Sequence, residues 1–299
     1  MAELSAIAGR LAGRLGTVGG EPVPLDGGIT NRNFRVSFGG RECVLRLPGR
    51  DTELLGIDRA AERIATERAA ALGIAPALVA ADEDFLVTEF LPGAPIEGER
   101  LRRDPSTAAA ALRAFHDSGL ELPVSFWVPD LLADYARIVA QRGGELPAAY
   151  RWAQDLVARI AAVLPLSDPV PCHDDLLPGN ILAADAEPDR AVLVDWEYAG
   201  MGHRMFDLAN LAVNNEFETD SQAHLLEAYF GEPPPPGRHA ALRLMMLVSD
   251  AREAAWGVVQ GVISELDFGF IDYADEHFAR MRRGADDPRL KEWLDGATP

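Results

Sequence analysis

Two pairs of alternating apolar segments in the first 90 residues constrain the fold more than any other feature of this sequence. The first pair spans roughly residues 32–47 and is interrupted at Gly39-Gly40. Alternation with a period of two is typical of strands that bury one face, and a two-glycine connection favours a tight hairpin turn. The second pair, residues 77–81 and 85–90, is joined by three acidic residues. These segments predict two antiparallel hairpins in one small sheet.

Helical spacing of the apolar residues replaces this alternation in the rest of the chain. An amphipathic helix is predicted within residues 1–20, and another between the hairpins, from Ile57 to Leu72. The helices predicted beyond residue 90 are 104–116, 130–142, 147–164, one capped by Asp207 and running to about Phe217, one that ends at Phe230, 238–266 and a final amphipathic helix. We therefore predict an α+β protein. Residues 1–90 form a small antiparallel sheet lobe with one helix, and residues 91–299 form a larger, mainly helical lobe.

Length and composition limit the classes of function. A chain of 299 residues with 48% hydrophobic residues can bury a core of enzyme size. Its apolar runs are too short to span a membrane, and residues 1–20 lack the apolar centre of a signal peptide, so we expect a cytoplasmic protein without membrane insertion. A net charge of −19 disfavours nucleic acid and suits a cationic small molecule, although an acidic surface can also serve solubility alone. Two cysteines provide neither a disulfide framework nor metal-ligand spacing.

The segment from His173 to Asp195 carries the clearest chemical signal. Asp175 lies two residues after His173 and five before Asn180, and Asp195 follows a run of four apolar residues. Phosphoryl transfer from ATP needs a carboxylate for the proton of the acceptor hydroxyl, and an amide and a second carboxylate that hold Mg²⁺ against the phosphates. We assign Asp175 to the proton, and Asn180 and Asp195 to the metal, with Asp174 as an accessory group. The alternative is an acidic loop before an ordinary strand.

A glycine-rich turn before the first hairpin suits phosphate binding. The turn consists of Gly27, Gly28, Ile29, Thr30 and Asn31. Backbone N–H groups on such a turn can hold phosphate oxygens, although Gly-Gly before a strand is also an ordinary turn. Kinases add a cation on the next strand, usually a lysine, but the only lysine here is Lys291, near the C-terminus. Arg46, in the second strand of the first hairpin, is the natural substitute, with Glu62 or Glu67 as its helix partner.

Several segments resemble the choline/ethanolamine kinase family, which shares a two-lobed protein-kinase-like fold with the aminoglycoside phosphotransferases. The segments are 27–31, Val44–Leu47, Cys172–Leu182, Val194–Gly200 and Phe206–Asn210. The resemblance extends from about Gly27 to Phe278. Its most specific part is the Asp-Trp-Glu-Tyr-Ala-Gly sequence that begins at Asp195. The resemblance implies this fold, and ATP and Mg²⁺ as the cofactors.

The same resemblance assigns further residues to the nucleotide. The family uses arginine where protein kinases use lysine, in agreement with Arg46. The family's spacing makes Glu62, rather than Glu67, its partner. Adenine would bind backbone groups of the connector between the lobes, which includes Glu89 and Leu91.

The acceptor site is also implied by the resemblance. Trp256, Phe268 and Tyr273 fall at the aromatic positions of the family's choline site, where aromatic faces and carboxylates recognise a quaternary ammonium group. Asp175 would contact the acceptor hydroxyl, and Glu197 is a further carboxylate on the metal or acceptor side. Helical spacing alone would instead make Trp256 and Phe268 core residues.

Two positions depart from the family pattern. Glu253 stands where many members have a tryptophan, and Asn214 stands about where some have a glutamate. A pocket rebuilt around Glu253 or Glu216 would suit a primary amine such as ethanolamine.

We therefore expect an ATP-dependent kinase for the hydroxyl group of a small cationic amino alcohol, choline first and ethanolamine next. An aminoglycoside or another small alcohol is the alternative acceptor on the same fold. A nucleotide-binding regulatory protein without turnover is the alternative of another class. The sequence leaves the oligomeric state open, with a homodimer as one option.

Overall fold

The computed structural model of the protein describes residues 2–25 and 31–298. Most of the glycine-rich turn predicted to hold phosphate, including Gly27, Gly28 and Thr30, lies outside the described residues, whereas Asn31 lies within them. None of the described helices is long and apolar enough to cross a membrane.

Strands are concentrated at the N-terminus of the described chain and helices in the rest. The strands are β1 (Val18–Leu25), β2 (Arg32–Phe38), β3 (Arg41–Leu47), β4 (Leu78–Ala81), β5 (Leu86–Glu89), β6 (Gly93–Pro95), β7 (Val170–Cys172), β8 (Ile181–Ala184), β9 (Glu187–Leu193) and β10 (Gly200–Gly202). The helices are α1 (Ala2–Leu15), α2 (Arg59–Ala71), α3 (Gly98–Arg103), α4 (Ser106–His116), α5 (Val128–Gln141), α6 (Ala148–Val163), α7 (Arg204–Asn214), α8 (Thr219–Phe230), α9 (Pro236–Ile263), α10 (Phe270–Ala285) and α11 (Leu290–Gly296). The division of the chain near residue 90 stays a prediction.

A five-stranded antiparallel sheet in the order β1-β2-β3-β5-β4 contains both predicted hairpins. Gly39 and Gly40 have φ angles of 58° and 86°, which a two-residue turn of type I′ requires and which residues with a side chain rarely adopt. β1 is an addition to the predicted sheet. Its glycines and prolines hide the alternation, and Pro22 and Pro24 are tolerated because β1 lies at the sheet edge.

Helices α1 and α2 lie within residues 1–90, where the sequence predicts an amphipathic helix in residues 1–20 and another from Ile57 to Leu72. Leu4, Ile7 and Leu11 of α1 pack on the buried face of the sheet. α2 begins after Asp58, whose carboxylate accepts a hydrogen bond from the backbone N–H of Ala61 at 2.8 Å, the usual way to satisfy a free amide in the first turn. α2 faces the larger lobe and contributes to its core, so it joins the two parts of the chain.

α9 is the central helix of the larger lobe. It has 28 residues and packs against α5, α6, α7, α10 and α11. Its residues from 247 to 260 are all buried. A Cβ atom on Gly257 would lie 2.7 Å from the carbonyl oxygen of Phe270, so glycine is needed there for α10 to approach α9 this closely. This close approach brings the predicted acceptor residues of the two helices together.

Asp207 does not cap α7, contrary to the prediction. His203 is the N-cap, and its Nδ1 accepts a hydrogen bond from the backbone N–H of Met205 at 3.1 Å. Asp207 lies within the first turn and is completely buried. Its carboxylate accepts the backbone N–H groups of His173 and Asp174, both at 2.8 Å. A helix-start pattern and a buried anchor for the neighbouring loop look alike in sequence, because both place an aspartate near the first turn.

Candidate active site

Two cavities meet between the sheet and the helical lobe. The larger has a volume of about 390 Å³, the smaller about 240 Å³, and both are lined by Gly179, Asn180 and Asp195. The residues assigned to the metal from the sequence therefore lie on the boundary between the two cavities. Such an arrangement lets one set of oxygen ligands face two bound molecules.

The larger cavity is an apolar slot beside the end of β5. Its walls include Val44, Leu86, Leu91 and Leu182, which come from both lobes. Glu89 also lines it, although the carboxylate of Glu89 pairs with Arg41 on the sheet. Glu89 and Leu91 thus border a space with the apolar character that a nucleobase needs.

Arg46 lies at the inner end of the larger cavity. It is buried, and its guanidinium contacts the carboxylates of Glu62 and Asp195. Glu67, the other helix partner considered, is exposed and pairs with Arg63 at 3.5 Å. The structure therefore brings the strand cation, the helix carboxylate and the predicted metal ligand into one cluster.

Asp175 is buried in the 173–180 loop, and both of its carboxylate oxygens have donors. Nη1 of Arg252 donates to Oδ1 at 3.1 Å, and Nδ2 of Asn180 donates to Oδ2 at 3.2 Å and to the backbone carbonyl of Asp175 at 2.8 Å. Burial raises the pKa of Asp175 to about 8; the charge of Arg252 opposes this shift, and nearby carboxylates, led by Glu253, add to it. A carboxyl group with such a pKa is suited to proton exchange near neutral pH.

Two aspartates near Asp175 in the active site have left-handed backbone conformations. Asp195 has a φ of 67° and Asp174 a φ of 66°. Residues with side chains rarely adopt this region, and such outliers concentrate at functional sites. Asp174 is completely buried, and burial followed by the charge of Asp207 raises its pKa well above the usual range. Asp174 is absent from the described residues that line the two cavities, and its backbone N–H donates to the carboxylate of Asp207 at 2.8 Å.

Glu197 links the N-terminal lobe to the smaller cavity. Its Oε2 accepts hydrogen bonds from Nδ2 of Asn31 at 2.9 Å and from Nη1 of Arg59 at 3.2 Å. Burial and the nearby Asp195 raise the pKa of Glu197, while Arg46, Arg59 and Asn31 oppose that shift. The sequence assignment did not include Arg59, which also donates to Glu62 at 2.8 Å.

The smaller cavity has aromatic walls. Nε1 of Trp256 donates to the hydroxyl of Tyr198 at 2.9 Å, and the rings of Trp256 and Tyr273 lie edge to face with centroids 5.5 Å apart. All three line the cavity, together with Asp175 and Glu197. Trp256 and Tyr273 therefore lie in the same cavity as Asp175, where the sequence analysis placed them.

Phe268 is not among the described residues that line this cavity. It lies in the connection between α9 and α10, is 40% exposed, and packs its ring on Phe270 and Tyr273. Phe268 stands outside the cavity against the ring of Tyr273, so its assignment to the acceptor stays a prediction.

Of the two glutamates around which a rebuilt pocket was considered, Glu253 lines the smaller cavity and Glu216 does not. Glu253 lines the cavity, but its two oxygens accept from Arg252 at 2.9 Å and from the hydroxyl of Tyr273 at 2.7 Å. The side chain of Glu216 is 83% exposed and faces Arg102 at 3.8 Å. Asn214 accepts a hydrogen bond from Arg280 at 2.9 Å, away from the cavity. Only Glu253 of the three belongs to the site, and its charge is already balanced.

Arg252 is the main residue that sequence reasoning missed. The signal was present, because Arg252 and Glu253 form an adjacent charged pair within a run of α9 that is otherwise mostly apolar. Lys, Arg, Asp and Glu are almost never fully buried unless they are paired. A charged pair at helix positions whose neighbours on both sides are core residues indicates such a pairing.

Known proteins match this chain over most of its length. The sequence model of the phosphotransferase enzyme family covers residues 21–242. This chain belongs to that family. A choline/ethanolamine kinase from Homo sapiens is 26% identical over 310 residues, which cover 85% of this chain and 78% of the human protein. The predicted class, a phosphotransferase with an alcohol group as acceptor, is confirmed.

Solved structures extend the match to the whole fold. A choline/ethanolamine kinase family protein from Mesorhizobium loti superposes on this phosphotransferase with a TM-score of 0.81 and 26% identity, covering 98% of each chain. The choline kinase LicA from Streptococcus pneumoniae superposes with a TM-score of 0.80 and 24% identity, covering 95% of this chain and 99% of LicA. The predicted two-lobed kinase-like fold and the resemblance to the choline/ethanolamine kinases are confirmed.

Proposed function

We propose that this phosphotransferase transfers the γ-phosphate of ATP to the hydroxyl group of a small cationic amino alcohol, with choline as the first candidate and ethanolamine as the second. The observation that carries the proposal is the smaller cavity. Its aromatic rings, Tyr198, Trp256 and Tyr273, stand beside the carboxylates of Asp175 and Glu197. Aromatic faces and carboxylates recognise a cation that has no proton to donate.

The residues between the cavities fit a magnesium ion. Mg²⁺ prefers hard oxygen ligands and is bound in nucleotide enzymes by one or two carboxylates together with phosphate oxygens. Asp195 offers a carboxylate whose side chain is 21% exposed, and Asn180 offers a carboxamide oxygen while its Nδ2 is used by Asp175. When bound, Mg²⁺ would neutralise charge on the phosphate oxygens.

Side chains of the protein would bind the phosphates and handle the proton of the acceptor. Arg46, fixed by Glu62, stands where it can hold phosphate oxygens at the inner end of the larger cavity, and the turn that ends at Asn31 would cover them. Asp175 accepts or orients the proton of the acceptor hydroxyl. Its burial keeps this proton exchange away from bulk water, and its two donors keep the carboxylate in one orientation.

The aromatic walls, beside carboxylates that already accept hydrogen bonds, are the reason to place choline before ethanolamine. A primary ammonium group needs acceptors for its N–H groups. Glu253 already accepts from Arg252 and Tyr273, and Glu197 accepts from Asn31 and Arg59. A quaternary ammonium group makes no such demand, and the aromatic rings suffice for it.

An aminoglycoside is disfavoured by size. The smaller cavity has about 240 Å³, whereas drug-sized ligands occupy pockets of roughly 300–1,000 Å³. A small alcohol fits this space without rearrangement of α9 and α10.

A screen of acceptors tests the proposal. ADP release is measured with ATP and Mg²⁺ in the presence of choline, ethanolamine, thiamine, aminoglycosides or small sugars. We expect the highest kcat/KM for choline. Turnover of an aminoglycoside or a sugar with no turnover of either amino alcohol would reject the proposal.

The variant Asp175→Asn separates an enzyme from a regulatory protein that only binds nucleotide. We expect turnover to fall by roughly 10²–10⁴-fold, the usual contribution of a proton-transfer group, while ATP binding persists. Asp189→Asn is the matched control, because the side chain of Asp189 is 98% exposed in β9. Equal activity of the Asp175 variant and this control would remove Asp175 from the mechanism.

A further inference from the structure

We propose that Arg252, held by Glu253, is a positioning residue that fixes the carboxylate of Asp175 for reaction with the acceptor. This inference rests on the proposed function, since it concerns the group that receives the acceptor's proton. It explains why α9 has a buried charged pair, although neither Arg252 nor Glu253 is needed for phosphoryl transfer itself.

The geometry places Arg252 between the two acidic groups. Arg252 is 2% exposed, and its Nη1 donates both to Oδ1 of Asp175 at 3.1 Å and to Oε1 of Glu253 at 2.9 Å. Its guanidinium carbon lies 4.2 Å from the centroid of the Tyr198 ring, which limits movement of the guanidinium on one side. The guanidinium is thus fixed by a carboxylate and an aromatic face while it contacts Asp175.

The contact matters because Asp175 has only two anchors among the described residues that bind its carboxylate. Asn180 holds Oδ2 and Arg252 holds Oδ1. Asn180 is also the expected metal ligand, so its position depends on the phosphates. Arg252 comes from a different element, α9, and is independent of the nucleotide. Removing Arg252 would leave the carboxylate with Asn180 as its one anchor among the described residues, and a misplacement of about 1 Å costs on the order of 10²-fold in rate.

The same pair connects Asp175 to the acceptor wall. The hydroxyl of Tyr273 donates to Oε2 of Glu253 at 2.7 Å, so a continuous set of hydrogen bonds runs from Tyr273 through Glu253 and Arg252 to Asp175. The ring of Tyr273 lines the cavity proposed for the cation. The acceptor wall and the proton-accepting group are therefore held by one network.

Charge balance is the competing explanation. A buried ion pair can be present only because each charge needs the other, and replacing both partners by neutral groups is then often harmless, whereas removing one is costly. A positioning role predicts something different. The loss of Arg252 should lower turnover whether or not Glu253 is neutralised at the same time.

A double-mutant cycle separates the two explanations. The variants are Arg252→Met, Glu253→Gln, the double variant, and Arg252→Lys, with Arg282→Gln as a control, because Arg282 is exposed and stacks on Trp152 far from the cavities. For each variant kcat, the KM for choline and the KM for ATP are measured, together with thermal unfolding.

We expect Arg252→Met to lower kcat roughly 100-fold with an unchanged KM for ATP. Arg252→Lys should retain more activity than Arg252→Met, since an ammonium group can still donate to Asp175. Glu253→Gln should mainly raise the KM for choline, because the cavity then has one negative charge fewer beside the cation. In the double variant thermal stability should recover relative to Arg252→Met, while kcat stays low.

Recovery of kcat to the wild-type value in the double variant would overturn the positioning role and leave charge balance as the explanation. If Arg252→Met fails to fold, the comparison of Arg252→Lys with wild type decides, and an unchanged kcat there contradicts the role. If wild type turns over neither choline nor ethanolamine, the proposed function fails by itself. The same cycle is then measured on basal ATP hydrolysis, where a rate that is insensitive to Arg252 rejects the positioning role.

Discussion

The two cavities that meet at Asn180 and Asp195 are built in opposite ways. The larger has mostly apolar walls, and its charged group on the inner side, Arg46, comes from the sheet. The smaller has aromatic walls and several buried charges, including Arg252 and Glu253 from α9. A cavity for a flat, neutral base needs little electrostatic organisation, whereas a cavity for a cation beside a reacting hydroxyl must hold several carboxylates in defined protonation states.

The residues that carry the reaction and the residues that select the acceptor therefore lie in different segments of the chain. The segment from residue 173 to 195 provides the groups on the boundary, and any acceptor would use them. Apart from Tyr198, the acceptor wall is provided by α9 and α10, about 60 residues and more further on. Substitutions on the boundary should therefore lower the turnover of every acceptor, and substitutions of wall residues that do not contact Asp175 should change the KM of one substrate only.

The largest effect is expected at the boundary. Asp195→Asn removes a charged oxygen from the proposed metal site and one of the two carboxylate partners of Arg46, so turnover should fall on the order of 10³-fold, as for other preorganised electrostatic groups. Steady-state kinetics with choline and with ethanolamine measure it. The loss should be similar for both acceptors, because Asp195 serves both cavities. A loss for one acceptor with the other spared would contradict the division proposed here.

A pH profile tests the buried charge of the smaller cavity. Burial raises the pKa of Asp175 to about 8, and only the ionised carboxylate can accept a proton. The kcat/KM for choline should therefore rise with pH through about 8 and fall as the pH drops. Between pH 6 and pH 8 the ionised fraction of a group with that pKa changes roughly 50-fold. Choline is the suitable acceptor, since its own charge does not titrate, and a flat profile between pH 6 and pH 9 would contradict the assignment.

The parts of the sheet and of the 173–180 loop that could be predicted from the sequence are those with local signals. The hairpin turn at Gly39-Gly40 and the spacing from Asp175 to Asn180 depend on residues close together in the chain. Arg46 was found by elimination, because the only lysine is near the C-terminus. β1 was missed, since its prolines and glycines conceal a strand that is acceptable only at a sheet edge.

The smaller cavity was predicted less well because its interactions join residues far apart in sequence. The contact of Arg252 with Asp175 spans 77 residues, and that of Asn31 with Glu197 spans 166. Trp256 and Tyr273 were assigned to the cavity by resemblance. Phe268 was assigned in the same way and is also aromatic, but it lies outside the cavity. Residue type cannot show which of two neighbouring rings faces inward, because that depends on how α10 packs on α9.

Two single substitutions compare the cavities directly, with effects near tenfold. Trp256→Leu removes an aromatic face worth about 1–2 kcal/mol to a desolvated cation, so the KM for choline should rise roughly tenfold while the KM for ATP stays constant. Val44→Phe fills part of the larger cavity, and the KM for ATP should rise while that for choline stays constant. Initial-rate measurements with each substrate varied provide both values. Equal changes in both KM values for either variant would show that the cavities are not independent.

The smallest effect on turnover is expected at His203, which lies outside both cavities but starts the helix that anchors the 173–180 loop. Burial, followed by the charge of Arg204, lowers the pKa of His203 to about 4. Its Nδ1 accepts the N–H of Met205, so the fold requires the neutral ring. Because the folded pKa lies below the unfolded value of about 6.5, the stabilisation is complete above pH 6.5 and is lost as the pH falls toward 4.

The free energy of unfolding of the wild type should therefore fall by about 2 kcal/mol between pH 7 and pH 5 through this group alone. Asparagine is also a good N-cap and does not titrate, so His203→Asn should lack this part of the pH dependence and keep turnover at pH 7 within about twofold. Urea unfolding of both proteins at the two pH values isolates the difference, because every other titrating group is shared. Identical pH dependence would mean that His203 is not held neutral. A large loss of turnover with an intact fold would mean that the start of α7 also sets the position of the loop, and the boundary between the cavities would then depend on this helix as well as on α9.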